Sequence, residues 1–136
     1  MASEAITRND LTEILNAVLP STAVDYVVEE GTSGIWTYRK WNSGIAECWG
    51  TYTLSYTSMA SWGSMYYSQP YATISFPTGL FVDIPTANFT RVRGAEGWVG
   101  NTTMTKDEIT NAYITRPTTA GANTSYIDIS AKGRWK

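Results

Sequence analysis

The chain has 136 residues, a mass of 15.0 kDa and a formal net charge of −2. It is long enough for one domain with a true core, and it lacks the cationic stripe that nucleic-acid binding needs. Charged residues make up only 16% of it, yet no window approaches the ~18 apolar residues of a membrane span, so a transmembrane helix is excluded and no membrane insertion is expected.

Residues 1–20 differ in character from the rest. Asn9 or Asp10 can cap a helix, and Glu13 stands where a capping box wants it. Leu11, Ile14, Leu15, Val18 and Leu19 then share one stripe until Pro20 ends it. This predicts a short N-terminal α-helix, with residues 1–33 forming helix plus linker. No basic region followed by an apolar one marks a secretory signal. The lone Cys48 cannot form an internal disulfide, so folding in a cytoplasm is expected. The linker contains a short strand expected over Asp25–Glu29, then the turn-forming Gly31-Thr32-Ser33-Gly34.

From residue 34 the pattern is that of an antiparallel all-β domain, a β-sandwich or barrel. Residues 35–41 and 45–52 are rich in β-branched and aromatic types around Asn42-Ser43-Gly44, which reads as a hairpin. Alternation puts Trp36, Tyr38 and Lys40 on one face of the first strand, and Ile35, Thr37, Arg39 and Trp41 on the other. The second strand sorts Ala46, Cys48, Gly50 and Tyr52 from Ile45, Glu47, Trp49 and Thr51. Trp36, Trp41 and Trp49 are expected in the core. Residues 53–70 carry no charge and read as a strand, a turn at Trp62-Gly63-Ser64 and a second strand. Further strands are expected over Tyr71–Phe76, Leu80–Ile84, Thr90–Arg93, Trp98–Met104, Ala112–Arg116 and Tyr126–Arg134. Pro77, Pro85 and Pro117 fall between them, where proline belongs.

The chain has no histidine, which removes Ser-His and Cys-His catalysis and most zinc sites. No residue set calls for a metal or a cofactor. Cys48 has no neighbour to activate it and reads as a small buried side chain. Glu47, Asp83, Glu96 and Asp128 are the carboxylates that a glycoside-hydrolysing pair would have to draw on, but no spacing singles out a pair. Arg91, Arg93 and Glu96 read as a solvated strand face with its turn. The aromatics are the stronger signal. Trp and Tyr combine an apolar face with a polar edge, which suits stacking on sugar rings and packing at interfaces. Trp62, Tyr66, Tyr67 and Tyr71 lie in or beside the uncharged stretch and are the expected ligand-binding residues. Trp135 is expected to close the last strand onto the domain.

The run Tyr38-x-Lys40-x-x-Ser43-Gly44, followed by Trp49-Gly50, resembles the opening hairpin of C-terminal receptor-binding domains on bacteriophage and prophage tail fibres. Ile74-Ser75-Phe76-Pro77 and the last strand from Tyr126 to Trp135 extend the resemblance over residues 34–136. It implies a β-sandwich, usually trimeric at a fibre tip, that adheres to a host cell-surface polysaccharide without catalysis and works in the virion tail beside other tail proteins. A structural virion subunit with no host ligand and a carbohydrate-degrading domain are the alternatives. The uncharged aromatic stretch from Leu54 to Gln69 departs from the family pattern.

Overall fold

The structure, a computed structural model, describes residues 24–119 and 121–136. The expected N-terminal helix lies outside them. The described residues form antiparallel β-structure: β1 (Val27–Ser33), β2 (Trp36–Trp41), β3 (Ile45–Tyr56), β4 (Ser58–Trp62), β5 (Met65–Gln69), β6 (Ala72–Ser75), β7 (Thr86–Gly94), β8 (Trp98–Gly100), β9 (Thr103–Met104), β10 (Glu108–Arg116) and β11 (Asn123–Arg134).

Two sheets share these strands. The first runs β1-β2-β3-β11-β7, so its last-made strand lies between β3 and β7. It begins in the expected linker, because β1 pairs with β2 from Val27 onward. The second is built on β10. Thr115 of β10 pairs with Tyr67 of β5 on one side and Trp98 of β8 on the other, while Ile109 pairs with Ile74 of β6 and Met104 of β9. β4 extends this sheet beyond β5.

The hairpin alternation decides which side faces inward. Trp36 stands opposite Gly50 and Tyr38 opposite Cys48, and this face turns to the core. Ala46, Leu54, Ile127 and Ile129 join it from the same sheet, and Ile74, Ile109, Ala112 and Ile114 meet it from the other. The Trp36 indole donates to the Ser75 carbonyl at 2.7 Å, tying the two sheets together. Gly50 must lack a side chain here, since a Cβ would come within 2.2 Å of the Ile35 carbonyl oxygen.

Two expectations are corrected. Of the three hairpin tryptophans only Trp36 is buried; Trp49 alternates to the outer face, where the Arg39 guanidinium lies 5.2 Å above its ring. Trp41 is half-buried there, its indole donating to Glu47. Leu80–Ile84 is not a strand. This segment crosses from one sheet to the other and buries the consecutive residues Leu80 and Phe81. A strand would point them to opposite sides. Phe81 packs edge-on against Phe76 at 5.3 Å. Trp135 does close the last strand onto the domain, donating to the Trp41 carbonyl at 2.7 Å.

Candidate functional site

Directly opposed residues of antiparallel strands share a face, so register alone assembles the site. Tyr67 pairs with Thr115 and with Ala60, while Trp62 pairs with Met65, two residues from Tyr67. Trp62, Tyr67, Tyr113 and Thr115 therefore stand together on the second sheet's outer face. The buried Ile114 and Ser68 take the inner face, with the Ser68 hydroxyl accepting from the Ile114 amide at 2.9 Å. Tyr71 stands between β5 and β6, just past the cis Gln69–Pro70 bond, and leans onto the same group.

The rings pack on one another. Tyr67 and Tyr71 stack with centroids 6.0 Å apart and planes at 17°. Tyr113 meets Tyr67 edge-on at 6.0 Å and Tyr71 at 5.7 Å. With Trp62 and Thr102 they line an open cleft of about 240 Å³. That is below the ~300–1,000 Å³ usual for small-molecule pockets, so it takes a ring or two of a ligand rather than a whole cofactor. Trp62 is 61% exposed at its rim.

Among the described residues no charged side chain lines this cleft. Partial burial among the rings pushes the Tyr71 hydroxyl above its ordinary pKa, and the neighbouring Tyr67 and Tyr113 hydroxyls add to the effect. The Tyr71 phenol is thus neutral at physiological pH, and phenolic hydroxyls serve as both donors and acceptors. The cleft offers apolar ring faces edged by hydroxyls, a surface for an uncharged, hydroxyl-rich ligand.

Of the four residues expected from sequence, Trp62, Tyr67 and Tyr71 converge here and Tyr66 does not. Tyr66 pairs with Arg116, adjacent to Tyr67, and so points to the opposite face. Tyr113 and Thr102 were not anticipated. Tyr113 was legible, because it alternates with Ala112 and Ile114 in a strand already expected. Opposite it stands Gly100, where a Cβ would lie 2.5 Å from the Tyr113 ring; the ring rests on bare backbone.

The carboxylates are dispersed. Asp128 accepts hydrogen bonds from Thr51 at 2.7 Å, Arg91 at 2.8 Å and Arg93 at 3.0 Å. These bonds hold its carboxyl well below the usual carboxylate range, so it is no proton donor near neutral pH. Glu47 sits on the same sheet face four residues along the ladder, opposite Lys132. That places it about 13 Å away, beyond the ~5–9.5 Å of glycosidase pairs. Asp83 and Glu96 are exposed on connections between strands. Cys48 is fully buried, and desolvation pushes its thiol up to about 12. Among the described residues no three potential metal ligands come together.

Fold and site together define an antiparallel two-sheet domain with an aromatic cleft on one outer face. A domain of the same fold occurs in a solved structure, an N-truncated R1-type pyocin tail fiber, with a TM-score of 0.54 at 14% sequence identity. The match covers 95% of this chain and 98% of that one. No family model and no curated protein matches the sequence.

Proposed function

We propose that this chain is a non-catalytic adhesive domain of a phage or phage-like tail fibre, and that its cleft holds a neutral segment of a host cell-surface polysaccharide. The convergence of Trp62, Tyr67, Tyr71 and Tyr113 into one uncharged, hydroxyl-edged cleft carries the reading. The fold shared with a pyocin tail fiber and the hairpin resemblance support the setting. In that setting the two sheets are a β-sandwich at a trimeric fibre tip in the virion tail, beside other tail proteins. Three weak sites on one axis then gain through multivalency.

The test is binding of Trp62→Ala and Tyr71→Ala to purified bacterial surface polysaccharides, with melting temperature and solution mass measured in parallel. Trp62 is 61% exposed, so its truncation shifts stability by no more than about 0.5 kcal/mol. Lost binding with an unchanged melt is the expected result. Binding that survives both changes removes the cleft as the site. A fall in solution mass instead makes the cleft a subunit interface, the mark of a structural virion subunit.

A further inference from the structure

A second groove of about 480 Å³, twice the aromatic cleft, opens where the loop before β8 meets the end of β10. Glu96, Trp98, Arg116 and Thr118 line it, with Val92 and Pro117 adding apolar surface. Trp98 is 64% exposed, more than any other described tryptophan. Arg116 stands apart from the other described arginines. Arg39, Arg91 and Arg93 are ion-paired and Arg134 donates to the Lys136 carbonyl, whereas the Arg116 guanidinium has no partner among the described residues. Among the described residues Glu96 has none either. The groove is built by close approach at Gly97. A Cβ there would lie 2.6 Å from the Thr115 carbonyl oxygen and 2.9 Å from Arg116 Cγ. Only a glycine lets the loop lie down on β10 here, so that Trp98 and Arg116 both border the one groove.

These groups differ from the neutral cleft in kind. An exposed indole face stacks on a sugar ring, and a free guanidinium offers a forked donor that matches a carboxylate. The Glu96 carboxyl oxygens take hydrogen bonds from sugar hydroxyls. We propose that this groove is a second carbohydrate site, selective for a sugar bearing one carboxylate, of the uronic-acid kind. It is separate from the aromatic cleft, and either can fail without the other.

The test is calorimetric titration of the full chain with trigalacturonate, its neutral methyl ester and glucose 6-phosphate, each at low and at raised salt. Trigalacturonate binds, more weakly as salt rises. Its ester binds about tenfold or more weakly, in line with the loss of a hydrogen bond to a charged group. Arg116→Gln gives the same loss for trigalacturonate and no change for the ester. Trp98→Ala weakens both. Three outcomes overturn the proposal: no heat with trigalacturonate at millimolar concentration, equal binding of acid and ester, or an Arg116→Gln variant that binds like the parent. Tighter binding of glucose 6-phosphate overturns the carboxylate assignment. Melting curves accompany each variant, and if Trp98→Ala is unfolded, Arg116→Gln and the ester decide.

Discussion

The Tyr113 ring rests on Gly100, and replacing that glycine with alanine separates the cleft from the fold. In Gly100→Ala the new Cβ would meet Tyr113 Cζ at 2.5 Å, Cε2 at 2.6 Å and the hydroxyl at 2.7 Å. Ordinary van der Waals contact begins at 3.4 Å, so the ring must retreat by about 1 Å. The clash falls on the free end of a half-exposed side chain, which can swing outward without moving backbone. The swing weakens the ring contacts of Tyr113 with Tyr67 and Tyr71. Each such pair is worth about 0.5–1.5 kcal/mol, and part of each survives, so the net loss is about 1 kcal/mol. For a chain of this length that lowers the melting temperature by about 3–6 °C. Ligand recognition suffers more, because binding constellations tolerate only about 0.5 Å of displacement. Near-ultraviolet circular dichroism reports the altered tyrosine packing, and polysaccharide titration reports the lost site. A variant with the parent's near-ultraviolet spectrum and binding refutes the argument that Tyr113 is held against Gly100. One that does not fold at all shows the ring to be a structural plug and not a movable wall.

Two further outcomes are expected. Asp128→Asn removes the acceptor shared by Thr51, Arg91 and Arg93. Since the folded carboxyl titrates below its unfolded value near ~4, its contribution is complete above that pH and is lost as pH falls through the folded pKa. The variant therefore melts lower at pH 7 and loses less on acidification below about pH 4, an effect that shrinks in high salt. Parallel acid melts of the two proteins at low salt contradict this. Trp36→Phe deletes the indole donor to Ser75 and leaves a small void in the core; urea unfolding shows a loss of about 1–3 kcal/mol. A smaller loss shows that the bond does not hold the sheets together.

Much of the first sheet was legible from sequence. Alternation sorted the hairpin faces correctly, and Gly44 at φ 99° and Gly63 at φ 58° form the two turns where small and polar residues cluster. Lone strands, however, do not announce which face meets a partner sheet. Trp49 shows this, since a tryptophan on either face of a two-sided aromatic hairpin reads as core. Tyr66 shows it again, because only the pairing of β5 with β10 tells which of two adjacent tyrosines points outward. Leu80–Ile84 has strand composition, but its Leu80 and Phe81 side chains are used as a plug between the sheets, and the bracketing Pro77 and Pro85 were the warning. The groove at Trp98 was invisible. It needs a loop-to-strand approach that no local pattern encodes.

The placement of β11 bears on how the protein is made. Residues 123–134 fill the slot between β3 and β7, and Asp128 bonds to Thr51, 77 residues earlier in the chain. As the chain emerges from the ribosome, β3, already paired with β2, waits with one unpaired edge, and β7, whose partner in the sheet is β11, waits with both. The first sheet thus cannot close during early synthesis, and its pairing is of the non-local kind that folds slowly. Until β11 arrives, those unpaired edges are where a nascent chain would join its neighbours on a polysome. A cell producing many copies at once has reason to keep them apart until the slot is filled.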